Sequence, residues 1–417
     1  MKRYLLTASS IALVFMSFCV WGDGFPIAEP EEVGLSGARL DRVTTTMQQH
    51  IDDKEVAGVV GLIARQGKIA YFETLGMQDI ESAKPMEKDT LFRIYSMSKP
   101  ITSVAVMMLY EEGLFQLDQK VSEYIPALGD LDVLVEDSDP ETGESSFRPE
   151  PSKQDMTVQD LLRHTSGLHY GWGSGKIDEM HRKADISGKG ANLEVMVKRL
   201  GTVPLKYQPG TKWEYSVSTD VLGRFVEVLS GIPFDQFLEE RIFKPLGMDD
   251  TAFYVPPEKA GRLAAMYHID EEKTLQLLPS GNTLASKPEY LSGGGGLIST
   301  AEDYLKFSQM MLNGGELNGV RLLSRKTVEL MTRDHLGEIP GFRSGMGFGL
   351  GFSVCLDPAQ RSAVDSEGTY SWGGAAHTRF WIDPKEEFIG VFMIHIFSPQ
   401  MNYNEQFRIL SYQSIDD

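Results

Sequence analysis

Ser96 and Lys99 stand three residues apart in "LFRIYSMSKPITSVAVMMLYEEG" (residues 91–113), and residues three apart on a helix share a face. A hydroxyl and an amine placed in this way could form a nucleophile and its base. Pro100 sets the register. The first four backbone N–H groups of a helix have no partner inside it, so proline is tolerated there and hardly anywhere later. Ser96 is therefore expected at or just before the first turn. There, free N–H groups and the positive end of the helix dipole face a developing oxyanion. Lys99, one turn into an apolar helix, is expected to have its pKa lowered by desolvation and to act as a base toward Ser96. A serine cap beside a snorkelling lysine would leave the same pattern, and Ser-x-x-Lys alone is a weak motif.

Other reactive groupings are sparse. No Cys or His cluster has metal-ligand spacing, so neither a metal nor another cofactor is expected. No Gly-x-Ser-x-Gly elbow supplies an α/β-hydrolase nucleophile. The run "GGGG" (293–296) lacks the Lys-Ser/Thr that follows a phosphate loop and reads as a tight passage behind a cleft. His164 in "RHTSGL" reads as a structural hydrogen-bonder. Trp172, Trp213 and Tyr207 suit either an acyl pocket or core packing.

The elements that must position these residues follow from periodicity. Ser36 followed by "GARLDRVTTTMQQHID" predicts a capped helix with Leu40, Val43 and Met47 inward. "AGVVGLIARQGKIAYFETLG" predicts two strands about a Gln66-Gly67 turn. The helix after Ser96 is apolar on most faces, hence buried on most faces, and Gly113 ends it. The polar, acidic stretch 137–154, with three prolines, reads as an exposed excursion. Helices are expected near Thr157, with Asp160 completing its cap, and over "STDVLGRFVEVLSG". The C-terminal part returns to strands in "GFGLGFSVCL", "TRFWID" and "EEFIGVFMIHIF", and a last helix spans about 404–414. The expected class is α/β (α+β), with an antiparallel sheet built from both chain ends and flanked by helices. The sheet lobe is expected over about 31–113 and 291–417, and an inserted, mostly helical lobe over about 114–290. The helix after Ser96 would lie between the lobes, where clefts form.

Composition bounds the rest. The chain has 417 residues, 41% hydrophobic and 24% charged, as in ordinary globular proteins. Lys2 and Arg3 precede an apolar run without charge until Asp23, the pattern of a secretory signal peptide. The expected division is a signal over 1–22 and a single hydrolase domain over 23–417, secreted or periplasmic, although the run is nearly long enough for a membrane anchor. Without that segment one cysteine remains, Cys355, which reads as buried strand filler. Net charge is −19, or −21 without the first 22 residues. Such a surface disfavours nucleic acid and anionic lipid, so neither is an expected partner, and no stable membrane association is expected once the signal is removed.

"YSMSKP" before a long apolar helix resembles the serine β-lactamase and penicillin-binding-protein superfamily. "PLKYQPGTKWEYSVSTDVLGRFVEVLSG" (204–231) resembles its second motif, Tyr-x-Asn, with Tyr215 in the tyrosine place. "LLRHTSGL", "LSGGGGLISTAEDYLKFSQMML" and "WGGAAHTRFWIDP" are similar too, so the likeness runs from about Glu31 to the end. It is closest to the class C β-lactamase-like esterases known as family VIII carboxylesterases. The resemblance implies the β-lactamase-like fold, Ser96 as acylated nucleophile, and Lys99 and Tyr215 sharing the proton work. The third motif aligns with Trp372-Gly373-Gly374 or with His377-Thr378-Arg379; the strand's close approach to substrate favours the glycines. The N–H of Ala375 would then join that of Ser96 in the oxyanion hole, with His377 a lining residue or an exposed strand histidine. Amide-cleaving relatives carry Asn two residues after the tyrosine, where this chain has Val217, and Trp372 replaces the third motif's lysine. Both departures point to short-chain acyl esters as the small-molecule substrates. The alternatives are a β-lactamase or D-alanyl peptidase, or a penicillin-binding sensor module that does not turn over.

Overall fold

Gln66 and Gly67 both have positive φ, 53° and 73°, and close a tight hairpin between two strands, as the sequence predicts. The computed structural model describes residues 24–138, 145–279 and 284–417; the expected signal segment lies outside them. In chain order, helix α1 (Gly37–Asp52) precedes strands β1 (Gly58–Arg65), β2 (Lys68–Asp79) and β3 (Lys84–Pro85). Helix α2 (Ser98–Glu111), strands β4 (Asp132–Ser138) and β5 (Ser145–Pro151), and helices α3 (Val158–Leu162), α4 (Ser218–Ser230) and α5 (Ala301–Leu312) follow. Strands β6 (Met346–Phe348), β7 (Ser353–Cys355), β8 (Tyr370–Gly373), β9 (Arg379–Asp383) and β10 (Phe388–Met393) lead to α6 (Tyr403–Tyr412).

The main sheet has the order β6-β7-β8-β9-β10-β1-β2-β3, and all its pairs are antiparallel. The two ends of the chain meet where β1 pairs with β10, Val60 opposite Met393. Every residue of β1 is buried, which the alternation of strand side chains explains. Val60, Leu62 and Ala64 enter the core shared with α2 and α5, whereas Val59 and Ile63 enter the core beneath α1 and α6. The sheet is therefore covered on both faces. Leu40, Val43 and Met47 are the buried residues of α1, as their spacing predicts, although the Ser36 side chain makes no capping hydrogen bond.

Helix α2 is buried from Ser98 through Leu109. Its apolar side chains each contribute about 1.5–3 kcal/mol on burial, so the helix is fixed firmly enough to carry a reactive end. Thr157 and Asp160 form the expected capping box of α3, and Gly231 ends α4 with φ 74°. The described part of the stretch read as an exposed excursion is largely exposed, as expected, and its flanks pair as two antiparallel strands, β4 with β5. Pro149 and Pro151 fit there because β5 pairs only with β4, so its outer edge needs no N–H donors. Among the described residues, no helix is long and apolar enough to cross a membrane.

Candidate active site

A 3₁₀ turn, Tyr95–Met97, delivers Ser96 to the start of α2, whose N-cap is Met97. Tyr95 holds a left-handed φ of 44°, which costs a non-glycine residue about 1–3 kcal/mol and persists only where the surroundings enforce it. Segment 292–298 and α5 do so. Ile94 N–H donates to the Leu297 carbonyl (3.0 Å), Leu297 N–H to Ser98 Oγ (3.1 Å), and the Tyr304 hydroxyl to the Met97 carbonyl (2.8 Å).

The same segment turns carbonyls into the helix: Gly293 accepts from Thr102 Oγ1 at 2.8 Å and Gly294 from Lys99 Nζ at 2.7 Å. Asp220, buried in α4, pins it from behind by accepting from Ser292 Oγ (2.5 Å) and Gly294 N–H (3.3 Å). A Cβ on residue 294 would lie 2.6 Å from Asp220 Oδ2 and 3.1 Å from the Tyr170 hydroxyl. The glycine run is thus a tight passage behind the cleft.

Lys99 is 1% exposed and uses all three of its N–H bonds: to the Gly294 carbonyl (2.7 Å), the Tyr170 hydroxyl (2.9 Å) and Ser96 Oγ (3.4 Å). The expected depression of its pKa is corrected here. Burial does press the pKa down, but the oxygens of Tyr170, Tyr215 and Asp220 outweigh it, and the pKa is raised. The resting lysine is an ammonium. Burial also raises the pKa of Tyr170, against the pull of Lys99.

Tyr170, which the sequence reading missed, is the hydroxyl bonded to Lys99. Its ring stacks on Trp172 with centroids 4.1 Å apart and planes 3° apart. The one available signal was its place two residues past "HTSGL" and two before a tryptophan. Tyr215 lies beside it, its ring centroid 4.5 Å from Lys99 Nζ and its hydroxyl accepting from Trp372 Nε1 at 3.3 Å. The structure therefore brings Tyr215 to Lys99 through its ring face.

Trp372 and Gly373 end β8, and Gly374 and Ala375 follow. Strand β7 pairs only with Tyr370 and Ser371, so the edge over 372–375 is open. Ala375 is exposed. Among the described residues, neither its N–H nor that of Ser96 donates to a backbone carbonyl elsewhere in the chain. A Cβ on Gly374 would lie 2.2 Å from Thr378 Oγ1 and 2.5 Å from the Ile94 carbonyl. Glycine is needed there to seat the strand against the residues leading into Ser96.

Ser96, Tyr215, Trp372, Gly373, Gly374 and Ala375 line one cleft of about 890 Å³, together with Trp172 and Trp213, a size usual for ligand sites. Other expected site residues lie elsewhere. Val217 is 5% exposed, belongs to the main core and does not line the cleft. His377 is not in a strand; it occupies the β8–β9 turn with φ 73°, and burial and Arg379 lower its pKa to about 4. Tyr207 packs between Lys206 and Lys212 outside the cleft. His164 is buried against Ser216 Oγ at 3.2 Å, the structural role expected of it. Cys355 is buried in β7. Among the described residues no group of three or more His, Cys, Asp or Glu could hold a metal ion.

Residues 43–413 match the profile of the family described as Beta-lactamase. Protein Rv1367c of Mycobacterium tuberculosis (strain ATCC 25618 / H37Rv) is 36% identical over 367 residues, 85% of this chain and 90% of that protein. Esterase EstB of Burkholderia gladioli is 31% identical over 384 residues, 86% and 90% of the two chains. Among solved structures, EstCE1, described as a hydrolase with promiscuous acyltransferase activity, superposes with a TM-score of 0.75 at 28% identity, covering 90% of this chain and 98% of its own.

Proposed function

The chain belongs to the Beta-lactamase family, and from that membership and the geometry of the cleft we propose that it is a serine hydrolase cleaving short-chain acyl esters through an acyl-enzyme on Ser96. The observation that carries this reading is the Lys99 ammonium, held at once by Ser96 Oγ, the Tyr170 hydroxyl and the Gly294 carbonyl. Esterase EstB and EstCE1 support the hydrolase class.

In the resting site every N–H of Lys99 is donated, so the amine has no lone pair for the Ser96 proton. The cluster of Lys99, Tyr170 and Tyr215 becomes a base only after it gives up one proton. Ser96 Oγ then attacks the ester carbonyl while its proton passes to the cluster, and the carbonyl π pair moves onto oxygen. The N–H groups of Ser96 and Ala375 receive that oxyanion. The tetrahedral adduct collapses, the C–O bond to the alcohol breaks, and the cluster returns the proton to the departing alkoxide. Water repeats the cycle on the acyl-enzyme. Lys99 and Tyr215 keep the roles the motifs imply, and Tyr170 joins them.

Preference for esters over amides follows from what the cleft lacks. Val217 is withdrawn into the core, so a buried substrate amide would go unpaired at a cost of about 1–3 kcal/mol, and with Trp372 where the motif has lysine a substrate carboxylate loses the cation the motif would supply. A fluorophosphonate probe is expected to label Ser96, and Ser96→Ala to abolish labelling and turnover. The kcat/KM for p-nitrophenyl butyrate is expected to exceed that for nitrocefin. Labelling retained at another serine refutes the nucleophile, and a higher value for nitrocefin promotes the β-lactamase reading.

A further inference from the structure

Tyr170 reaches Lys99 from a segment without regular structure. Residues 168–174 connect the end of the α3 region to a short helix, Lys176–Lys183. Among the described residues, no backbone N–H of this segment donates to a backbone carbonyl, and none of its carbonyls accepts from a backbone N–H. Backbone pairing therefore does not fix the tyrosine whose hydroxyl stands 2.9 Å from Lys99 Nζ. The stack of Tyr170 on Trp172 lies within the segment, and Trp172 is 74% exposed. It stiffens the segment without tying it to the body of the protein.

The anchors are side chains. Arg182, on the short helix, donates through Nη1 to the carbonyls of Gly171 (2.7 Å) and Gly173 (2.6 Å), the residues on either side of Trp172. His169 Nδ1 accepts from the Gly171 N–H at 3.1 Å, which requires a lone pair on that nitrogen and hence a neutral imidazole. Burial, with His181 close by, lowers the His169 pKa to about 4 and keeps the ring neutral at pH 7. Gly171 has φ 71°, and a Cβ there would lie 2.6 Å from His181 Nδ1, so the segment sits directly on the helix. The cations of that helix divide their work. Lys176 and Lys183 both pair with Glu179, whereas Arg182, which makes no ion pair among the described residues, turns to the two carbonyls.

We propose that Arg182 is a positioning residue for the proton cluster: it anchors the segment so that the Tyr170 hydroxyl stays on Lys99. Lys99 is fixed in a buried helix, so the distance between the two groups is set by the segment. Without the guanidinium the segment shifts, the hydroxyl leaves Lys99 for part of the time, and the cluster loses one of its oxygens. Arg182 touches neither substrate nor Ser96 and acts only through Tyr170. This inference rests on the ester-hydrolase reading for its kinetic consequence, but not for the anchoring.

The test uses Arg182→Gln, at an exposed position where misfolding is no concern, and Lys183→Gln, which removes the same charge one residue on, as its control. Amide hydrogen exchange read by mass spectrometry is expected to quicken over 168–174 in Arg182→Gln and not in Lys183→Gln. With p-nitrophenyl butyrate, kcat/KM is expected to fall about 3- to 30-fold in Arg182→Gln, the range for a net loss of one or two ordinary hydrogen bonds. It should recover partly in Arg182→Lys and stay level in Lys183→Gln. The direction of the pH shift separates positioning from charge. The working cluster is one proton short, so kcat/KM rises with pH as that proton leaves. Tyr170 raises the Lys99 pKa, so loosening it moves the rise to lower pH, whereas deleting a positive charge by itself moves the rise to higher pH. In a Tyr170→Phe background Arg182→Gln is expected to add little, since both act through one hydroxyl. Unchanged exchange over 168–174 overturns the anchoring, whatever the activity. Faster exchange with an unchanged kcat/KM, a rise moved to higher pH, or full additivity with Tyr170→Phe overturns the positioning role. An unmodified protein that hydrolyses no ester overturns the hydrolase reading instead, and exchange in Arg182→Gln still decides the anchoring.

Discussion

Replacing Tyr170 by phenylalanine removes one oxygen and leaves the ring stacked on Trp172. The oxygen removed lies 2.9 Å from Lys99 Nζ and is one of three acceptors around that ammonium. With Lys99 1% exposed, bulk water does not replace it freely. A hydrogen bond to a charged group is worth about 1.5–3 kcal/mol, so kcat/KM is expected to fall roughly 10- to 150-fold. The pH dependence carries the diagnosis. Tyr170 is among the groups that raise the Lys99 pKa, so without it the ammonium releases its proton at lower pH. Because the working cluster is the form one proton short, the rising limb of kcat/KM against pH is expected to move to lower pH. A purely structural lesion would scale the profile without moving it. The assay is initial-rate hydrolysis of p-nitrophenyl butyrate from neutral to alkaline pH, with spontaneous hydrolysis subtracted. A Tyr170→Phe profile that keeps its midpoint, or an undiminished rate, refutes the assignment of Tyr170 to the proton path.

Two further outcomes follow. Gly374→Ala would force a methyl group onto Thr378 Oγ1 and the Ile94 carbonyl, at 2.2 and 2.5 Å; overpacking of this kind costs about 1–3 kcal/mol. It should lower Tm by circular dichroism and reduce kcat together, because Ala375 moves with the strand; an unchanged Tm would show that the strand yields freely. Burial lowers the pKa of His169, His377 and His395 to about 4 in the folded protein. The unfolded chain binds protons at about 6.5, so between these values it holds more protons than the folded one and stability is lost as pH falls. Tm is expected to be level above neutrality on this account and to decline from about pH 6.5 toward pH 4; a Tm steady across that window refutes it.

The proposed nucleophile was legible because two local constraints coincide: Ser96 and Lys99 share a helical face, and Pro100 fixes where the helix begins. Tyr215 and residues 372–375 were legible through ordered motifs. Tyr170 and Asp220 were not, since their meeting with Lys99 depends on segments 71 and 121 residues away folding onto α2. An aspartate beside Val221 and Leu222 on a buried helix face was the sign of a committed carboxylate. The charge of Lys99 was misjudged for the same reason: the pattern shows that the helix is buried, but not which oxygens are buried with it. That the sheet draws on both ends of the chain followed from the strand patterns there, but its strand order did not, and the β4–β5 pairing was hidden because prolines and acidic residues also describe an exposed hairpin.

The junction of β1 with β10 has a consequence on the ribosome. Val60 cannot find Met393 until more than 300 further residues are made, which at ordinary synthesis rates takes roughly 15–70 s. Through that interval β1, apolar on both faces, has only β2 beside it and an unsatisfied edge. The start of α2 likewise lacks segment 292–298, which holds Tyr95 in its left-handed turn, and β8, which carries Ala375. Ser96 is therefore translated long before its surroundings in the cleft exist. Pairings this distant in sequence also form slowly, so the nascent chain depends on being kept from aggregation until β10 emerges. A stop codon anywhere before β10 removes both the central strand pairing and the enzyme.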